Sequence, residues 1–141
     1  MATAEPVIPA VRGAASLGLR AGQVVQELGW DSDCDEQLRT EVMDLIDGDL
    51  VEDTVEAVDV VLLWWRDEDG DVVDGLVDSL TDLAESGYIW LVTPKVGRRG
   101  HLDPADLAEG ALTAGLAVTR SASVASDWQG HKIVRPKGPR K

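Results

Sequence analysis

Val58-Asp59-Val60-Val61-Leu62-Leu63-Trp64-Trp65 is a nearly unbroken β-branched and aromatic run. A strand with one wet face alternates polar and apolar residues; this one does not, so it reads as a central parallel strand buried on both faces. Asp67-Glu68-Asp69-Gly70-Asp71 ends it. Val72, Val73, Leu76, Val77, Leu80 and Leu83 then predict an amphipathic helix, closed by Gly87. Tyr88-Ile89-Trp90-Leu91-Val92 is a second buried strand, stopped by Pro94. Upstream, Val24-Val25-Gln26-Glu27-Leu28 runs into Gly29 and reads as a first buried strand. Asp31-Ser32-Asp33 is a cluster of helix N-cap types. Leu38, Val42, Met43, Leu45 and Ile46 follow near a 3.6-residue period, predicting a helix of about three turns up to Gly48. Its acidic start suits the positive end of the helix dipole. Residues 49–56 are assigned a short strand or an extended piece.

Beyond Pro94 a loop rich in Gly and Arg leads to Asp103-Pro104, an N-cap with proline at the first helical position. That helix runs through Leu107 and Leu112 to Gly115. Two last strands, 117–124 and 130–135, are joined by a turn around Asp127-Trp128-Gln129-Gly130, a connection short enough to make them antiparallel. Strands alternating with helices imply an α/β fold: a mostly parallel sheet in a three-layer arrangement, with a C-terminal antiparallel hairpin. Residues 1–15, rich in Ala, Pro and Gly, are expected to be a disordered tail. Residues 16–135 are expected to form one domain, and 136–141 a flexible basic tail.

Hydrophobic residues make up 44% of the 141 positions, enough for a compact core. There is no Phe, one Tyr and five Trp. The net charge is −13, unevenly spread. Through Pro94 there are 4 basic and 22 acidic residues; from Lys95 onward there are 9 basic and 4 acidic. Acidity of this degree keeps a domain soluble and opposes nucleic acid and anionic membranes. It also suits docking on a basic protein partner. The single cysteine, Cys34, excludes an intrachain disulfide or a cysteine-built zinc site. No cationic, apolar leader and no run of membrane-helix length is present, so the cytoplasm is the expected compartment.

The element order and final hairpin resemble the second half of a class I methyltransferase, a Rossmann-like fold. In that family the first strand ends in an acidic-x-Gly-x-Gly loop that wraps the cofactor. Here the matching stretch is Glu27-Leu28-Gly29-Trp30-Asp31-Ser32, with Asp31 where the second glycine would stand. A side chain thus occupies a place where backbone should approach the ligand. The chain is also short by about one strand–helix unit before the central strand, so the ribose region is thin or absent. More specifically, the chain from Leu17 to Lys137 is similar to the DUF3052 family. The matching residues are Leu28-Gly29-Trp30-Asp31, Asp59 through Arg66, Trp90 through Lys95 and Asp127 through Gly130. That family implies a fold and carries no assigned activity, catalytic residue or cofactor.

Parallel sheets hold ligands at the carboxyl ends of their strands. Glu27, Gly29, Trp30 and Asp31 stand at the first such end, Trp64 and Trp65 at the second, and Lys95, Arg98 and Arg99 follow the third. Stacking aromatics, carboxylates and cations there form a candidate pocket for a small planar or anionic ligand, such as a nucleotide or S-adenosylmethionine. The plain alternative has the tryptophans capping the core and the cations pairing with nearby aspartates. Gly97-Arg98-Arg99-Gly100 lacks the spacing and Lys-Ser/Thr of a P-loop. Asp31, Asp33, Asp35 and Asp67, Asp69, Asp71 have the spacing of calcium-loop ligands without its glycine or closing glutamate, so both read as turn and cap chemistry. Cys34 lies among acids that disfavour a thiolate. His131 reads as an ordinary strand residue, and His101 belongs to the basic loop. No Gly-x-Ser-x-Gly elbow is present. Asp71, Asp74, Asp78 and Asp82 line one side of a helix, as a solvated or partner-facing stripe. Two readings follow: a non-enzymatic regulatory or protein-interaction domain, or a small-molecule binder or enzyme working at the strand ends.

Overall fold

The computed structural model describes residues 13–54 and 56–136. The strands are β1 (Val25–Leu28), β2 (Val58–Trp64), β3 (Leu83–Pro94), β4 (Ala117–Ser123) and β5 (Trp128–Val134). The helices are α1 (Glu36–Ile46), α2 (Val72–Ser79) and α3 (Pro104–Thr113). All five strands join one sheet in the order β1-β2-β3-β5-β4. The β1–β2 and β2–β3 pairings are parallel; β3–β5 and β4–β5 are antiparallel. The sheet is therefore mixed, a correction to the mostly parallel expectation. The final hairpin folds back so that β5 inserts beside β3 and contributes two of the four pairings.

The run from Val58 to Trp64 is buried as a central strand should be, except for Asp59, which is half-buried. Its period-2 alternation sorts two apolar layers. Val60, Leu62 and Trp64 pack with Trp90, Val92 and Trp128 beneath α1, which contributes Leu38, Val42 and Ile46. Val61 and Leu63 pack with Ile89, Leu91 and Ile133 beneath α2 and α3, which contribute Leu76, Leu107 and Ala111. Helices thus cover both faces.

Four boundaries differ from the sequence expectations. Order begins earlier: Gly13–Leu17 is a one-turn 3₁₀ helix that buries Ala14 and Leu17. The first twelve residues of the expected tail, and Lys137–Lys141 of the basic one, lie outside the described residues. The cap of α1 is Asp35, whose Oδ1 accepts from the Leu38 amide at 2.8 Å, not the Asp31–Asp33 cluster. Leu83 belongs to β3 rather than to the preceding helix. Its side chain folds over Gly87, where an added Cβ would lie 2.6 Å from Leu83 and 2.7 Å from the Asp59 carbonyl. A register shift between Val58 and Val60 absorbs the intervening residues. Finally, Trp128 begins β5 instead of occupying the turn.

The expected strand within 49–56 is reduced to one bridge, Val51 beside Gln26. Val51 donates to Val25 O at 3.0 Å and accepts from Glu27 N at 2.7 Å. Gln26 Nε2 reinforces it by donating to Glu52 O at 2.8 Å. After α1 the chain thus touches the outer edge of β1 and then crosses to β2 on the other side. That reversal of direction sits at β1, and it places the switch-point crevice at the carboxyl ends of β1 and β2.

Candidate functional site

The residue that dominates this crevice is Arg66, immediately after Trp65 at the end of β2, and only 6% exposed. Its Nε and Nη2 donate to the two Asp33 oxygens at 3.0 and 2.5 Å. Nη1 donates to Gly29 O at 2.8 Å and to Asp69 Oδ2 at 3.3 Å, and Nη2 also reaches Cys34 Sγ at 3.2 Å. The guanidinium lies over Trp128, 5.4 Å from the ring centre. One cation thus ties the loop after β1, the loop after β2 and the start of β5. The hydrogen bond from Arg66, helped by its charge and opposed by partial burial, holds the Asp33 carboxyl below the usual aspartate range. Burial pushes the Cys34 thiol up to about 11, against the opposing pull of backbone and Arg66. The thiol is protonated at neutral pH and serves as an acceptor for the Asp31 amide.

Glu27 is likewise committed. It is 3% exposed, and both oxygens accept from Arg39, at 2.7 Å to Nε and 2.8 Å to Nη2. Its Oε2 also accepts from Trp64 Nε1 at 2.9 Å. Trp64 is fully buried and meets Trp128 edge to face at 4.9 Å. Gly29 has φ +79°, and a Cβ there would stand 2.2 Å from the Trp64 carbonyl oxygen. The glycine is required by the approach of two strand ends, with or without a ligand.

The other predicted residues are dispersed. Trp30 is 47% exposed; its indole donates to Glu36, and Arg39 covers its ring at 5.7 Å. Asp31 is exposed and caps the Ser32 amide. Trp65 is half-buried against Gly75 of α2. Arg98 and Arg99 are exposed, paired with Asp127 at 3.0 Å and with Glu68 at 3.8 Å. Lys95 stands apart: it lines two cavities, of about 440 and 380 Å³, one on each side of the β3 end. The structure therefore bonds Gly29 to Arg66, bonds Glu27 to Trp64, whose ring meets the Trp128 beneath the guanidinium, and leaves Trp30, Asp31, Trp65, Arg98 and Arg99 outside this cluster. Among the described residues no group of three His, Cys, Asp or Glu side chains could hold a metal ion. No helix among them is long and apolar enough to cross a membrane.

The smaller cavity holds residues that sequence reasoning passed over. His131, on β5, is 8% exposed, with Nδ1 2.8 Å from Ser121 Oγ and Nε2 3.2 Å from Thr93 Oγ1. Burial, with a smaller contribution from the His101 charge, lowers its pKa to about 4. The signal was parity: Thr93 follows Leu91 by two residues and His131 precedes Ile133 by two, so both belong to a buried face.

A family model described as "Protein of unknown function (DUF3052)" matches residues 14–137. The chain belongs to the DUF3052 family. Uncharacterized proteins of Mycobacterium tuberculosis and Mycobacterium bovis are 50% identical to it over 125 residues, spanning 88% of this chain and 78% of theirs. Among solved structures the fold is similar to that of S-adenosylmethionine-dependent methyltransferases. The mitomycin 7-O-methyltransferase superimposes with TM-score 0.57 at 16% identity. An O-methyltransferase from neocarzinostatin biosynthesis, solved with S-adenosyl-L-homocysteine, gives 0.58 at 13%. The matches cover 82% and 86% of this chain, which spans half the length of each of those enzymes. A SAM-dependent methyltransferase from Aquifex aeolicus gives 0.54 at 14%, covering 86% of this chain and 87% of that one. At such identities the likeness shows the fold alone.

Proposed function

We propose that this protein is a non-enzymatic regulatory or interaction domain, built on a methyltransferase-like scaffold whose cofactor crevice is filled by its own side chains. The observation that supports this reading most is Arg66. Its guanidinium occupies the switch-point crevice and uses donors on Gly29, Asp33 and Asp69. Glu27, the acid of the motif, is spent on Arg39 and Trp64. A nucleoside entering there must displace a buried cation from its partners, which costs several kcal/mol.

The partner is a basic protein surface. The exposed side of α2 carries Asp74, Val77 and Asp78, with Asp71 exposed at its cap. An apolar side chain flanked by unpaired carboxylates offers contact area together with a charge that steers a cationic partner.

The test is titration of the full chain with S-adenosyl-L-homocysteine, followed by calorimetry and by the amide resonances of Gly29 to Asp31. No saturable binding to millimolar ligand is expected. Micromolar binding with shifts at those amides overturns the reading. In parallel, Asp74→Lys with Asp78→Lys should release proteins co-purified from the native host by at least tenfold; unchanged recovery removes α2 as the interface.

A further inference from the structure

We infer that the cavity between the β3–β5–β4 edge and α3 is a binding site for a small organic monocarboxylate with an aromatic or branched apolar body. It lies on the sheet face opposite α1 and shares no residue with the Arg66 cluster. Its volume, about 380 Å³, is within the range of small-molecule sites. Leu102, Leu107 and Val118 give it apolar walls, while Thr93, Ser121, His131, His101, Lys95 and Gln129 supply polar groups. An apolar enclosure with a few placed polar groups is the usual composition of a ligand pocket.

The polar groups differ in how far they are committed. His131 is pinned by a hydroxyl at each ring nitrogen. His101 Nδ1 lies 2.9 Å from Pro94 O; a carbonyl only accepts, so Nδ1 carries the hydrogen and Nε2 remains for another partner. Lys95 has no carboxylate within 4.0 Å among the described residues. The nearby acids are engaged elsewhere: Asp103 caps the Ala105 amide, Asp127 pairs with Arg98, and across the other cavity Asp35 caps the Leu38 amide while Glu41 accepts from the Ala14 amide and Gln37. A half-buried lysine with an imidazole on the same loop calls for an anion, and the apolar walls call for a hydrophobic body. A carboxylate satisfies Lys95 with one charge. A polyphosphate would need a row of backbone donors, and Gly97 and Gly100 of the neighbouring loop are not among the residues that line this cavity.

Both of the chain's histidines line this cavity, so their ring resonances report on it alone. The full chain is titrated with sodium benzoate and, separately, with benzamide, its neutral counterpart. Benzoate should shift both imidazole signals saturably, with benzamide at least tenfold weaker. Lys95→Met, a change at a half-exposed position, should reduce benzoate to the benzamide level. Ala108→Trp, on the exposed side of α3, should abolish the shifts by filling the cavity. Absence of a saturable benzoate shift, equal affinity for the two probes, or a shift that survives Ala108→Trp overturns the proposal. Homocysteine-nucleoside binding reads a different crevice, so the two proposals fail separately.

Discussion

Arg66 and Asp33 are thirty-three residues apart in sequence, yet both carboxylate oxygens accept from the one guanidinium, at 3.0 and 2.5 Å. This bond explains why the Asp31–Asp33 cluster does not start α1. Asp33 is drawn across to β2, Cys34 closes a turn on Asp31, and Asp35 takes the cap. Arg66→Met removes the donors together with the guanidinium that lies over Trp128. The carboxylates left behind are partly exposed, so the loss comes chiefly from the Gly29 carbonyl and the ordering of two loops. Unfolding by urea should show about 1–3 kcal/mol of destabilisation. Amide exchange in residues 29–35 should accelerate ahead of the rest. A variant as stable as the parent, with those amides unchanged, removes Arg66 from its organising role.

Glu27 carries a more deeply buried version of the same chemistry. Glu27→Gln preserves an acceptor for Trp64 Nε1 and deletes the charge facing Arg39. Arg39 then keeps only the exposed Glu36 as a counter-ion, at 2.8 Å, and the expected cost is about 1–3 kcal/mol. Adding Arg39→Met should recover part of that loss, because the pair is then removed as a unit. Strict additivity of the two substitutions in a denaturant series argues against direct coupling.

Gly29 tests whether the acid-x-glycine motif is retained for structure. Gly29→Ala meets both a positive φ and the Trp64 carbonyl at 2.2 Å, a contact with backbone that no rotamer relieves. Destabilisation of about 2–4 kcal/mol is expected without any ligand present. A thermal midpoint within a degree or so of the parent contradicts this account.

The central strand, α2, α3 and the final hairpin were readable because each carries a strong local pattern: an apolar run, a 3.6 period with an Asp cap, or Asp-Pro at a helix start. Leu83 was misplaced because Leu76, Leu80 and Leu83 keep helical spacing although the chain has already turned. The insertion of β5 beside β3 depends on contacts between distant residues, which no local pattern encodes. The site was less legible for the same reason. Trp64 and Trp65 look alike in sequence, but strand alternation buries Trp64 against Trp128 and leaves Trp65 on the α2 side. Arg66 gave no sign that its partners would come from the loop after β1 and from the start of β5.

His131 gives the fold a defined pH response. Its pKa falls from the ordinary histidine value of 6.5 to about 4, mainly because burial penalises the charged ring. Between those values the unfolded chain binds a proton that the folded chain does not, so stability rises with pH across that window. The contribution is complete above about pH 6.5 and is lost progressively as the pH falls toward 4, with a ceiling of about 3 kcal/mol. His131→Gln retains hydrogen-bonding capacity toward Ser121 and Thr93 and removes the titration. Urea midpoints measured from pH 7 to pH 4 should fall less steeply in that variant than in the parent. Because the many surface carboxylates titrate in both proteins, their contribution cancels in the difference, which isolates the imidazole. Parallel curves for the two proteins mean that His131 binds its proton equally well folded and unfolded, and that the hydroxyl-lined cavity is wetter than its apolar walls imply.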